Sequence, residues 1–193
     1  RIGKKAQVRP GLGFAGATLA RDLRSLQDLG KKLCVSTQLI NDVLEINQKQ
    51  LDHIVEVLEH CFKGGLKQKI VTIFGLTYKP GTSTLRRSAA LQVIRILQSK
   101  GALISAHDPK ADLRECSKPI TFKYHIDPYE AVRKSHGIIV MTEWPEYRNL
   151  DYTRIKSGMA RPMILDVKNH LDGEKLRNLG FLYIEIGRGQ LVR

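Results

Sequence analysis

Cysteine is scarce in this sequence. Cys34, Cys61 and Cys116 are the three present, odd in number, widely spaced and without a C-x-x-C pair. That pattern supports neither a disulfide framework nor a zinc site, and a reducing cytoplasm fits it best. Aromatic residues make up only 6% of the chain and form no platform for stacking single-stranded bases. No apolar run approaches the ~20 residues of a membrane span. The opening RIGKKAQVRP holds no apolar stretch of signal-peptide type. The first residue is not Met, so the chain is expected to be a piece of something longer. His53, His60, His107, His125, His136 and His170 show no metal-ligand spacing.

Acidic residues are also in short supply, 19 against 32 Lys and Arg, for a formal net charge of +13. A basic surface attracts nucleic acid, anionic membranes and phosphorylated small molecules alike. The cations are dispersed, with GKK, LGKKL and LRR the densest clusters and no stripe of ~5–8 basic residues. Neither a nucleic-acid nor a membrane partner is therefore expected. A nucleic-acid module, the least favoured reading, would require steeply salt-dependent affinity.

What is present is enough apolar material, 42% of residues, to bury a sizeable core. Apolar residues recur at Leu19, Leu23, Leu26, Leu29 and Leu33, predicting a helix from Gly16 to about Val35. A longer helix is expected from about Ser36 to Phe62, with Ser36 or Thr37 as its cap and KGG as its stop. Its apolar residues fall on more than one side, so two faces are expected to be buried, one of them against another subunit.

After Gly65 the texture changes to short apolar strands alternating with helices. KIVTIFGL, ALISAHDP, ITFKYH, GIIVMT, MILDV and FLYIEIG read as strands. Helices are expected at Leu85 to Lys100 and in PYEAVRKS, YTRIKSGM and GEKLRNLG. This alternation predicts an α/β fold, long helices followed by a doubly wound parallel sheet covered on both faces. Residues 1–65 then form a helical piece too slight to be a domain alone, and residues 66–193 an α/β domain.

PGLGFAGATLARDL carries Gly11, Gly13 and Gly16 in the order G-x-G-x-x-G. A dinucleotide-binding fingerprint follows a buried strand and leads to a second strand ending in an acidic residue. Here neither strand is present, so the motif fails its context test. A loop letting backbone approach a ligand, and a mere connector, remain comparable readings. In the α/β domain, ligands are expected beyond the carboxyl ends of the strands. The loops there are GLTYKPGTSTLRRS, HDPKAD, TEWPEY and DVKNHLD. Lys79, Arg86 and Arg87 beside a helix start make a plausible phosphate site. Solvated surface charge is the commoner fate of such residues, and Asp108, Glu143 and Asp166 read equally as caps of turns and helices.

Taken together, six segments in register resemble the nucleotide-sugar dehydrogenases that oxidise UDP-glucose, GDP-mannose and relatives at C6. RIG with PGLGFAGATLARD is similar to the family's R-I-G and P-G-x-G-F-G-G-S-C-x-x-K-D segments. VLEINQKQ resembles V-x-x-x-N-x-x-Q, and IFGLTYKPGTSTLRRSAAL resembles G-x-x-[FY]-K-x-x-T-x-D-x-R-E-S-x-x-L. AHDPKA, MTEWPEY and LDVKN resemble Y-D-P-x-A, T-E-W-x-E-[FY] and D-x-R-N.

The resemblance implies a central helical dimerisation segment at 1–65 and a C-terminal Rossmann-like domain at 66–193 that binds the nucleotide sugar. It implies a homodimer through helix 36–63. The NAD cofactor would be bound mainly by an N-terminal domain that this chain lacks, with Arg86 facing it. Arg1 would reach the substrate, the backbone of Phe14, Ala15 and Gly16 would cover the sugar, and Tyr78, Lys79 and Lys168 would bind the sugar or phosphate. In the family a cysteine thiolate captures the aldehyde between two hydride transfers. That position is Thr18 here, and a threonine hydroxyl is a weak nucleophile without an activating base. Asp22 keeps the family's aspartate. The acids of D-x-R-E have become Thr84 and Arg87, and the arginine of D-x-R-N has become Lys168, which loses bidentate geometry but not charge. Two functions follow as expectations: an NAD-dependent nucleotide-sugar 6-dehydrogenase, or a paralogue that binds the nucleotide sugar with partial or no oxidation.

Overall fold

The computed structural model describes residues 11–14, 18–86, 88–116 and 121–187. Arg1, Ala15, Gly16 and Arg87 lie outside the described residues.

Two long helices come first, α1 (Thr18–Lys32) and α2 (Gln38–Cys61). Thr37 occupies the cap position of α2, but its hydroxyl makes no capping bond. Its side chain packs instead against Gly30, where an added Cβ would lie 2.3 Å from Thr37 Cγ2. Close approach at the α1–α2 turn has displaced capping. At the far end, Gly64 and Gly65 take φ of +101° and +82°, so left-handed backbone ends the helix as the KGG signal predicts.

Six parallel strands follow: β1 (Ile70–Phe74), β2 (Leu103–His107), β3 (Lys123–Tyr124), β4 (Gly137–Val140), β5 (Met163–Asp166) and β6 (Leu182–Glu185). Their order is β3-β2-β1-β4-β5-β6, the doubly wound arrangement. The helices of this half are α3 (Ala89–Ser99), α4 (Pro128–Ala131), α5 (Tyr152–Gly158) and α6 (Gly173–Asn178). Short 3-10 segments occupy Leu113–Glu115 and Pro145–Asn149, which the sequence pattern did not suggest. The helix starting near Leu85 begins later, because Ser88 caps it through Ala90 N–H and Leu91 N–H. PYEAVRKS keeps one helical turn, ending before Lys134, whose φ is +59°.

Alternating strand residues feed two cores. Val71, Ile73, Ile104, Ile139 and Leu165 pack with α3 and with Leu51, Ile54, Val55 and Leu58 of α2. Phe74, Ile138, Val140 and Ile164 pack with Tyr147, Ile155 and Leu176 on the opposite face. Burial of each such side chain contributes roughly 1.5–3 kcal/mol. The C-terminal half of α2 is therefore part of the core of the sheet, while its first half leaves Leu39 and Ile46 exposed. Polar residues on the second face are satisfied: Thr72 and Ser105 hydroxyls both donate to the Ala131 carbonyl.

Acids are largely occupied in structure. Asp112, Asp127, Asp151 and Asp172 each accept a backbone N–H at the start of a helical segment. Asp108 and Asp166 are buried. The cations keep the surface, which concentrates the net positive charge there.

Candidate nucleotide-sugar site

All strands run the same way, so the loops after β1, β2, β4 and β5 emerge at one edge of the sheet. The first is shaped by Gly75. Its φ is +92°, and a Cβ there would lie 2.4 Å from Thr142 Cβ, so glycine is required for β1 and the end of β4 to meet. The Thr142 hydroxyl donates to the Thr77 carbonyl across this contact.

Asp108, just past β2, gathers three loops. Its Oδ2 accepts from Leu76 N–H (2.7 Å), Thr77 N–H (3.0 Å), the Thr77 hydroxyl (3.0 Å) and the Trp144 indole N–H (3.1 Å). Its Oδ1 accepts from Lys110 N–H (2.8 Å) and Ala111 N–H (2.9 Å). Such a carboxylate, buried among donors, is an organiser of turns rather than a reactive acid. The crevice between β1 and β4, where the winding reverses, is thus filled by Thr77, Thr142 and Trp144.

Asp166 plays the same part after β5. It accepts from Lys168, His170 and Leu171 N–H and from the Tyr183 hydroxyl at 2.7 Å. Burial and the Asp166 charge push the Tyr183 phenol up, so the hydroxyl stays a donor. His170 is held below the usual imidazole range by burial, and its Nε2 lies 2.9 Å from the Trp144 carbonyl. A carbonyl only accepts, so Nε2 carries the proton. The sequence reading of Asp108 and Asp166 as turn formers matches these contacts.

The turn at Asp166 presents Lys168, whose Nζ lies 3.4 Å from Glu143 Oε2 at the end of β4. Glu143 Oε2 is buried and has no hydrogen-bond partner among the described residues, so the pair interacts by charge alone. Lys79 extends from the β1 loop with its Nζ 5.5 Å from the centre of the Tyr78 ring. Lys79 and Lys168 thus stand at the same edge of the sheet. Their strands flank β4, about 10 Å apart at the usual strand spacing.

A cavity of about 970 Å³ opens beside this edge, between α1, α2, α3 and the β1 loop, and Phe14, Asn47 and Arg86 line it. It brings together Phe14 and Arg86, two residues the sequence singled out, but neither Lys79 nor Lys168. Thr18 opens α1 and is exposed. Asp22 lies one turn further on, its carboxylate 3.0 Å from Arg21 Nε. Among the described residues no cluster of His, Cys, Asp and Glu could hold a metal ion, and no helix is long and apolar enough to cross a membrane.

Sequence reasoning missed the Asp108 node, and it missed Glu115, whose Oε2 accepts from the Thr84 hydroxyl and Leu85 N–H. Bonding to those donors holds the Glu115 carboxyl below its usual range. The T-E-W segment pointed to Trp144, and nothing in the sequence pointed to Glu115.

The sequence pattern of the UDP-glucose/GDP-mannose dehydrogenase family, UDP binding domain, matches residues 72–173. The chain belongs to that family. The matched span holds all four strand-end loops. UDP-glucose 6-dehydrogenase TuaD of Bacillus subtilis is 33% identical over 190 residues, covering 97% of this chain and 41% of the relative. UDP-glucose 6-dehydrogenase of Rickettsia prowazekii is 31% identical, covering 97% of this chain and 43% of that protein. The chain therefore spans about two fifths of the length of these relatives. A UDP-glucose dehydrogenase from Pyrobaculum islandicum superposes with a TM-score of 0.75 at 28% identity, over 91% of this chain and 38% of the other. An NDP-N-acetyl-D-galactosaminuronic acid dehydrogenase from Methanosarcina mazei shares the fold, with a TM-score of 0.80 at 21% identity over 95% of this chain and 40% of the other.

Proposed function

We propose that this chain is the C-terminal part of an NAD-dependent UDP-sugar 6-dehydrogenase and binds the nucleotide sugar at the carboxyl edge of the sheet. The observation that carries this is the placement of Lys79 and Lys168 at one sheet edge within a UDP-binding family pattern. Lys79, with Tyr78, and Lys168 meet the diphosphate or sugar, where two cations offset the phosphate charges. Phe14 covers the sugar in the adjoining cavity, and Arg86 on the same cavity faces NAD. The residues present suit that cofactor only at its edge: Arg86 offers charge to a phosphate, and no dinucleotide-binding turn accompanies it. NAD, when bound, accepts the hydride. Arg1, Ala15 and Gly16 keep their proposed substrate roles, and the proposed setting is the cytoplasm.

Calorimetric titration of the chain with UDP, GDP and dTDP tests this reading. Micromolar UDP binding, weakened about tenfold by Lys168→Ala, is expected. No heat with any of the three overturns it.

A second reading, binding with partial or no oxidation, is favoured by Thr18. No base contacts its hydroxyl among the described residues, and Asp22 pairs with Arg21 instead. NADH yield from the longer protein with UDP-glucose separates the two. Two NADH per sugar refutes the second reading, one places the stop after the first oxidation, and none with retained binding supports binding alone.

A further inference from the structure

Asn47 sits in the middle of α2, where asparagine is a poor helix former. What it gains there is the glycine loop. The Phe14 N–H donates to Asn47 Oδ1 at 2.8 Å, and Asn47 Nδ2 donates to the Phe14 carbonyl at 3.1 Å. The carboxamide thus pairs with one backbone unit as a neighbouring strand would, at two points. Two-point contact fixes both the position and the orientation of that unit. Gly13 is shaped to the same contact: its φ is +75°, and a Cβ there would lie 2.3 Å from Asn47 Oδ1. On the other side Leu12, 7% exposed, joins the core that contains Leu51 of α2. The loop is therefore held against α2 by one apolar anchor and one polar clamp. Phe14 and Asn47 both line the cavity that also holds Arg86.

We propose that Asn47 is a positioning residue. Its carboxamide sets the Gly13–Phe14 backbone as one wall of the cavity, so that α2 determines how the loop meets the sugar of a nucleotide sugar. The part concerning the sugar rests on the function proposed above; the clamp itself does not. Asn47 touches no reacting atom and acts through Phe14.

Two measurements on the 193-residue chain test it. In hydrogen exchange, Asn47→Ala speeds exchange of the Phe14 amide by about 10- to 100-fold, the loss expected for two hydrogen bonds, while amides of β1 and β4 keep their protection. Asn47→Asp retains the acceptor and restores most of that protection, which simple loosening of α2 would not produce. In calorimetry, Asn47→Ala lowers UDP-glucose affinity about tenfold and leaves UDP affinity unchanged. Unchanged Phe14 exchange overturns the clamp, and a parallel loss of UDP and UDP-glucose binding overturns its role at the sugar. A wild-type chain that binds neither nucleotide refutes the nucleotide-sugar reading and with it the sugar role, and exchange still decides the clamp.

Discussion

The indole N–H of Trp144 donates to the Asp108 carboxylate at 3.1 Å across 36 residues of chain, and both side chains are 2% exposed. This bond ties the end of β2 to the loop after β4 over the top of β1. It sets the relative heights of the loops that carry Lys79 and Glu143.

Asp108→Asn should therefore destabilise the chain by about 2–4 kcal/mol, because an NH₂ group would face donors in a buried site. Trp144 is the one tryptophan of the chain, so its fluorescence reports on this node during urea unfolding. A loss under 0.5 kcal/mol would show that the node is not cooperative with the fold.

Gly75→Ala should cost about 2–4 kcal/mol, combining positive-φ strain with a clash on Thr142. Gly81→Ala is the control. Its φ is +80°, but nothing lies within 4 Å of its added Cβ, so it carries strain without clash. Equal losses at the two positions, measured by denaturant midpoint, would rule out the close-packing argument.

His107 is held below the ordinary imidazole value of 6.5 chiefly by burial. As pH falls below that value the unfolded chain takes up the proton first, so stability declines from about pH 7 towards pH 5. Above about pH 7 both states are neutral at this site and the effect vanishes. His125, His136 and His170 are lowered in the same direction and add to the slope. His107→Gln should flatten the decline. An unchanged slope would assign it to the other three imidazoles.

Leu39 and Ile46 on α2, and Leu19, Leu26, Leu29 and Leu33 on α1, are large apolar side chains left 49–77% exposed. If helix 36–63 forms the proposed homodimer, Ile46→Asp should shift the sedimentation profile from dimer towards monomer with little change in the sheet. A wild-type monomer at high micromolar concentration would remove the dimer from the account.

Much of the sheet was legible in advance because its signal is local. Five strands bury every residue or all but their ends, so runs such as IVTIF and GIIV are apolar throughout. The glycine motif failed its context test correctly: α1 follows it and leads into α2, and no strand lies between them. Helix starts were less legible, since whether Ser88 or Thr37 caps depends on what each side chain meets. At the site, Phe14 and Arg86 share a cavity, but the partners that place them, Asn47 and Glu115, lie 33 and about 30 residues distant in sequence.

By itself the amino-acid order determined the alternation of helix and strand, the parallel sheet and the basic character of the surface. These follow from side-chain period and charge, which act over a few residues. Tertiary structure alone decided that Asp108 and Asp166 are buried organisers, that Trp144 fills the crevice between β1 and β4, and that Asn47 holds Phe14. A buried polar group is stable only where distant donors or acceptors meet it, and chain folding sets that meeting.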